Sequence, residues 1–530
     1  MQTRRQLPNN VAELQALLSA QFVAFDALAN EHNAVKVERD DIKVERDALK
    51  KAKFDDQEEI KRLTLLIAKL KRMAFGQKSE KLRTQIDQLV LELEEMHIAQ
   101  GAKIPASAPP KTDKRTPPKR REFPEHLLRD IQTHMPDNVA CPDCGGDWLA
   151  VGEDVSEVLE YVPASYRVIR HVRPRMTCTC CSQMAQAPAP SRPIARSSFG
   201  PGLIGHIIVA KYMDHLPIYR QCQQAEREGI EFSESTVGDM IGGVHHLFRP
   251  LMDALQRYVF AASKLHADDT PIDVLAPGNG KTKQGRLWVY TRDDRPAGDT
   301  AAPAVWFRYS PDRKGIHPQT HLKDYTGILQ ADAYAGYNQI YETGRVLEAA
   351  CWAHARRKFY DIHDSQPTPV TTHVLAQISE LYKIEAGIRG SPPERRREVR
   401  QEYSKPIVEA LHAWFKEQLS TLSRKSVTAD AIGYAMNQWQ ALIRYLDDGR
   451  IEMDNNAAER ALRTVALGRK NFLFLGSDSG GERAATMYSL LGTVKLNGMN
   501  PEAYLRHVLS VIADQPVNRI DELLPWNVAL

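Results

Sequence analysis

KLHADDTPIDVL (Lys264–Leu275) is the stretch on which the fold class turns. Upstream of it, from Pro201 to Tyr258, apolar residues recur at helical spacing, whereas from Ala262 onward they alternate. Alternation is the signature of half-buried strands. KLHADDTPIDVL is thus the first of four strand-like segments, followed by GRLWVYTRDD (Gly285–Asp294), AVWFRYSPDR (Ala304–Arg313) and GILQADAYAGY (Gly327–Tyr337), with Gly, Pro and Asp turns between them. RVLEAACWAHARRKF (Arg345–Phe359) then reads as a strand running into a basic helix.

Acidic residues stand at the ends of two of these strands: Asp268 with Asp269 on the first, and Asp332 on the fourth. A third candidate, Glu459, lies in IEMDNNAAERALR (Ile451–Arg463), where Asp454, Asn455 or Asn456 can cap a helix that carries it on an early turn. Each acid alone has an ordinary explanation, because an Asp after a strand is commonly a turn residue and a helical Glu commonly faces solvent. Together they suit hard divalent cations, which want oxygen ligands and which, as a pair, can activate an attacking oxygen and stabilise a leaving one in phosphodiester cleavage. Without such cations three converging carboxylates would repel and partly protonate.

Working outward, the chain has 530 residues, 42% of them apolar and 26% charged, with a net charge of +3. The composition is globular, and length alone favours several domains. No apolar run approaches the roughly 18 residues of a membrane span, so a soluble, unexported protein is expected. Residues 1–100 are rich in Lys, Glu, Arg, Asp and Leu; Val35, Ile42, Leu49, Leu63 and Leu70 share one heptad position, interrupted by Asp56. A zipper that self-associates is expected, with a solvated single helix as the alternative, since the early heptads put Arg39, Arg46 and Lys53 at the second seam position. Residues 101–135 contain the Pro-rich, basic stretch GAKIPASAPPKTDKRTPPKRRE, in which Lys119, Arg120 and Arg121 are candidates for phosphate contacts; a plain tether is the alternative reading.

Five of the seven cysteines fall between Cys141 and Cys181. Cys141 with Cys144, and Cys178 with Cys181, make two CxxC knuckles able to close a tetrahedral structural zinc site, although Cys180 could replace Cys178. Residues 136–192 are therefore read as a zinc-binding domain. Residues 193–260 read as helix, glycine turn at Gly229 and a helix capped by Ser233 or Ser235, a helix-turn-helix outline with DNA binding as its functional reading.

HADDTP (His266–Pro271), ADAYAGY (Ala331–Tyr337) and the paired CxxC knuckles, together with FGQKSEKL (Phe75–Leu82), CWAHARRKF (Cys351–Phe359), DNNAAERALR (Asp454–Arg463), GRKNFLFLGS (Gly468–Ser477) and KLNGMNPEAYL (Lys495–Leu505), resemble transposases of the insertion sequence 66 family, from about Phe75 nearly to the C-terminus. The resemblance implies a DDE, ribonuclease H-like catalytic domain with Asp268 and Asp332 as its two aspartates and Glu459 as the closing glutamate, all three ligating magnesium or manganese. Asp269 stands where the family often has glutamate. The fold class expected is multidomain α+β: coiled coil, zinc-binding domain, helical DNA-binding domain, and an α/β catalytic domain over 261–480 with a helical insertion at about 361–450, then a C-terminal helical segment at 481–530. The insertion is basic around Arg395, Arg396 and Arg397, which suggests proximity to DNA, and His354, Arg356, Arg357, Arg463, Arg469 and Lys470 flank the acids as further DNA-binding candidates.

The function so implied is a DNA transposase that binds terminal inverted repeats and target double-stranded DNA, with strand cleavage and strand transfer as its chemistry. It is expected to be a homo-oligomer in the bacterial cytoplasm, associated with the nucleoid when on DNA, with accessory proteins from the same element as further partners. The rivals are a zinc-containing DNA-binding protein without catalysis, which has no use for the three acids, and a ribonuclease H-like nuclease, which leaves the N-terminal modules unexplained.

Overall fold

The structure is a computed structural model that describes residues 165–177, 184–278, 280–423 and 425–530. The expected zipper, the basic linker with Lys119, Arg120 and Arg121, and all four candidate zinc ligands lie outside the described residues. Two units are present, and each is taken by itself. In the smaller one, Arg175–Thr177 (β1) pairs antiparallel with Met184–Gln186 (β2). The larger one includes residues 191–530.

The described part of the larger unit opens on four helices: α1 (Pro201–Tyr212), α2 (Ile218–Arg227), α3 (Glu234–Leu247) and α4 (Arg249–Phe260). Gly229, at φ +78°, makes the turn before α3, and of the two candidate caps it is Ser233 that accepts the Thr236 N–H, at 3.1 Å. The outward residues of α3 include Glu234 and Asp239, so this helix offers an acidic rather than a basic face.

A five-stranded sheet follows, formed by β3 (Lys264–Val274), β4 (Lys283–Arg292), β5 (Ala304–Ser310), β6 (Gly327–Gln330) and β7 (Val346–Ala349), in the spatial order β5-β4-β3-β6-β7, with the short helices α5 (Ile316–His321) and α6 (Asn338–Glu342) in its connections. β3, β4 and β5 are antiparallel, and β6 and β7 run parallel to β3. The sequence segments therefore fold as the alternation indicates, with one difference in register. Asp268 and Asp269 sit in the middle of β3, not at its end, because the strand continues against β4 as far as Val274. Its pairing with β6, by contrast, ends at His266 opposite Gln330, so Pro271 meets no parallel neighbour that would need its missing N–H.

The outer edge of β5 is covered by α14, a helix over Asp478–Leu496. Ser489 Oγ accepts the Phe307 N–H at 2.7 Å and Thr493 Oγ1 accepts the Val305 N–H at 3.1 Å, which satisfies edge donors that would otherwise invite another strand. Glycine allows this approach: a Cβ at Gly481 would enter the Tyr309 ring. Ser477 caps α14 by accepting the Gly480 N–H at 3.2 Å, so the boundary expected at 480 falls inside a helix that is part of the sheet's own packing. The last helix, α15 (Pro501–Val511), packs on α1, and one continuous core runs from Ile204 through the sheet to Leu524.

After β7, α7 (Trp352–Ser365) leads into a run of helices over the span read as an insertion: α8 (Pro369–Ile388), α9 (Pro393–Val399), a π turn at Arg400–Ser404, α10 (Lys405–Thr421), α11 (Val427–Asn437) and α12 (Trp439–Ile443). It has its own core, in which Phe359 stacks on Phe415 and Trp352 meets Trp439 edge-on. The chain then returns through Met453, whose carbonyl accepts the Trp352 N–H at 3.0 Å, into α13 (Asn456–Asn471).

Candidate functional site

β6 ends at Gln330 while β3 runs on, so the two parallel neighbours part beyond His266. The region beyond the carboxyl ends of parallel strands is where open α/β sheets ordinarily bind ligands. Asp268 comes to it from β3, Asp332 lies two residues beyond β6, and Glu459 rises from the first turn of α13. Asp332 is half-buried and Glu459 almost wholly buried. Burial, and then the negative charges of Asp332, Glu459 and Asp269, push the Asp268 carboxyl well above the usual carboxylate range. The three acids singled out in the sequence thus share one electrostatic environment.

Two polar clasps put them there. Asn455, fully buried at the head of α13, gives no capping bond; its amide nitrogen donates to the Ala267 carbonyl at 2.8 Å and its oxygen lies 3.1 Å from His266 Nδ1. Burial holds His266 down at about 3, so the ring is neutral and donates from Nδ1 to that oxygen. The capping bond itself comes from Asp454, which accepts the Asn456 N–H at 3.1 Å. On the other side, Gln330 donates to the Glu452 carbonyl at 2.6 Å and accepts the Glu452 N–H at 3.3 Å. One clasp is next in sequence to Asp268 and the other two residues from Asp332, so the helix carrying Glu459 is tied to both strands.

Asp269 has a different environment. Its side chain is only 1% exposed and holds two guanidiniums: Arg286 Nη1 at 3.1 Å on Oδ2, and Arg313 Nε at 3.0 Å and Nη2 at 2.8 Å on Oδ1. Burial raises its pKa while Arg313 and Arg286 oppose the rise. It is thus an anchor for cations, whereas Asp268 is surrounded by anions.

The basic candidates divide. His354 Nδ1 stands 3.8 Å from Glu459 Oε1, and the ligand atoms of Cys351, His354 and Glu459 lie within 4.8 Å of one another. The Cys351 thiol is already engaged, accepting the Asn455 N–H at 3.1 Å. Burial and the Arg357 charge lower His354 to about 4. Arg356 lies over the Tyr360 ring, and Arg357 and Arg463 are half-buried. Arg469 donates from Nη1 to the Pro271 carbonyl at 2.5 Å, docking α13 on β3, while Lys470 is exposed. In the insertion, Arg396 is not a DNA-facing charge: it is 1% exposed, with Nη1 2.7 Å from Glu452 Oε1 and Nη2 3.4 Å from Glu385 Oε2. Arg400, one helical turn on, grips Glu385 with Nε and Nη2, both at 2.7 Å. A buried guanidinium must find carboxylates, and these two find theirs on α8 and on the segment before α13.

Residues 196–483 match the family model described as "Transposase IS66 family". The chain belongs to this family. The IS66 zinc-finger binding domain matches residues 139–182, the IS66 C-terminal element residues 489–526, and a model described as "Transposase C of IS166 homeodomain" residues 62–131. The zinc-finger match supports a structural zinc in the IS66 chain, over the two CxxC knuckles. Among curated relatives, "Uncharacterized protein y4hP" of Sinorhizobium fredii (strain NBRC 101917 / NGR234) is 40% identical over 488 residues, 88% of each chain. "Uncharacterized protein y4qI" of the same strain is 36% identical over 535 residues, 98% of this chain and 97% of the relative. Among the described residues no helix is long and apolar enough to cross a membrane.

Proposed function

We propose that this IS66-family chain is a DDE transposase whose metal-dependent centre is Asp268, Asp332 and Glu459, and that it cuts and joins DNA at the ends of its element. The observation that supports the reading is the nearness of the three acids: burial first, and then the charges of Asp332, Glu459 and Asp269, push the Asp268 carboxyl up. Such a cluster is poorly stable without cations and supplies only hard oxygen donors, which fits magnesium or manganese. The strand order supports a ribonuclease H-like domain, with three antiparallel strands followed by two parallel ones. Bound there, divalent cations would activate the attacking oxygen and stabilise the leaving one.

The chain's own residues hold the geometry. Asn455 and Gln330 keep α13 in register with β3 and β6, so that Glu459 faces Asp268. Exposed Lys470, the basic linker residues Lys119, Arg120 and Arg121, and the partly exposed Arg356, Arg357 and Arg463 supply positive charge for the DNA backbone. The zipper would bring two element ends together through self-association, and the zinc knuckles of Cys141, Cys144, Cys178 and Cys181 would shape an N-terminal DNA-binding module. The test is incubation with a duplex carrying the element's terminal repeat, magnesium and a target plasmid. Nicking at the repeat boundary followed by joining is expected. Binding without nicking would leave a DNA-binding protein only, and cleavage unrelated to the repeat would indicate a nuclease.

A further inference from the structure

Beside the three acids stands a second feature that they do not explain. Asp269 projects a single, almost inaccessible carboxylate, yet two arginines from different segments converge on it, Arg286 from β4 and Arg313 from the turn after β5. This set carries a net positive charge beside a cluster of negative ones. Arg313 is the more open of the two cations, with 39% of its side chain exposed against 16% for Arg286. Its Nε–Nη2 edge is occupied by Asp269, and the same Nη2 lies 3.7 Å from Asp332 Oδ2. The guanidinium also lies over the Tyr334 ring, 4.3 Å from its centroid; the Tyr334 hydroxyl donates to the Arg313 carbonyl, and the Tyr334 N–H donates to Asp332 Oδ1 at 3.3 Å. Arg313 is therefore held by a carboxylate at its edge, an aromatic ring at its face and a hydroxyl at its backbone. Its Nη1 makes no hydrogen bond within the described residues.

We propose that Asp269, Arg286 and Arg313 form a phosphodiester-binding subsite of the reaction centre, in which Arg313 Nη1 donates to a non-bridging oxygen of the scissile phosphate. An arginine already ordered by Asp269 pays little entropy to bind an anion, and its planar fork suits phosphate oxygens. Its distance from Asp332 sets it beside the carboxylate cluster, where the negative charge of the pentacoordinate phosphorus must be stabilised. Asp269 is then a positioning residue that acts through Arg313, which accounts for two adjacent aspartates with opposite surroundings.

The inference rests on the transposase reading. The experiment is single-turnover nicking of a terminal-repeat duplex with magnesium, using the full chain, on three substrates: the natural phosphodiester and the two methylphosphonate diastereomers at the scissile position. Arg313→Ala should slow nicking of the phosphodiester about 100-fold, the size of effect seen when one transition-state donor is removed, with end binding unchanged. The penalty should vanish on the one diastereomer whose methyl group replaces the oxygen held by Nη1. Arg313→Lys should recover part of the rate, and Asp269→Asn should slow nicking without adding to the effect of Arg313→Ala. An equal penalty on all three substrates would overturn the subsite, as would a variant that nicks at full rate with a lower magnesium requirement, since Arg313 would then stand in for the cation. If the wild type nicks and Arg313→Ala matches it, this inference alone falls; if the wild type never nicks, the transposase reading falls and takes it along.

Discussion

Glu452→Gln tests whether the buried arginine cluster holds the insertion to the centre. In the folded chain burial alone would raise the Glu452 carboxyl, but Arg396 at 2.7 Å, followed by Lys264, overcomes this and brings it from 4.5 to about 2. At 1.36 kcal/mol per unit the pairing contributes about 3 kcal/mol at neutral pH, and because the group is only 8% exposed little is lost to solvent screening. The amide keeps the shape and can still accept a bond from Arg396, so the loss is chiefly of charge. Urea unfolding, followed by intrinsic tryptophan fluorescence, should therefore show Glu452→Gln less stable by about 3 kcal/mol at pH 7. Because the folded pKa lies below the unfolded one, the contribution is whole above about pH 4.5 and disappears as the pH falls toward about 2. The gap between wild type and variant should shrink to roughly 1.5 kcal/mol at pH 3. A gap that stays constant between pH 7 and pH 3, or that is absent at pH 7, would refute the reasoning.

Three further outcomes are expected. Asn455→Ala should leave DNA binding intact but reduce nicking at least tenfold, a loss of about 1.4 kcal/mol, because α13 loses its bonds to His266 and Ala267; nicking at the wild-type rate would show that Glu459 is placed by other contacts. Purified protein should contain zinc by elemental analysis, and Cys141→Ser or Cys144→Ser should lose it and weaken DNA binding while the unit containing the sheet stays folded; zinc-free wild-type protein would contradict this. Neutralising Lys119, Arg120 and Arg121 together should lower the salt dependence of duplex binding by up to about three in log–log slope, and an unchanged slope would reduce the linker to a tether.

The strand segments were legible because their apolar residues stand between Gly, Pro and Asp turns, although β5 and β6 are buried on nearly every residue rather than alternating, and Asp268 was read at a strand end where it lies in mid-strand. What was hidden depends on partners far away in the chain. Asn455 looks locally like a helix cap, but its bonds go to residues 188 and 189 positions earlier. Arg396 and Arg400 sit in a run of arginines that composition alone assigns to solvent or DNA; their one-turn spacing marks a shared face, but only the fold brings Glu385 and Glu452 to it. Asp268 and Asp269 are chemically identical neighbours, and the pleat alone separates them, sending one toward Glu459 and the other toward two arginines. Arg313 gave no signal at all, because an arginine after a strand is ordinary until its carboxylate and aromatic partners are known.

The most direct test of the central claim is single-turnover nicking of a terminal-repeat duplex in magnesium by Asp268→Ala, Asp332→Ala and Glu459→Ala, with end binding measured on the same preparations. Each variant should bind the end at least as well as wild type, since a negative charge near DNA has been removed, and each should lose several kcal/mol of transition-state stabilisation, so that nicking falls by roughly 1,000-fold or more. Nicking that persists in any of the three while binding is intact would contradict the assignment of that carboxylate to the metal centre.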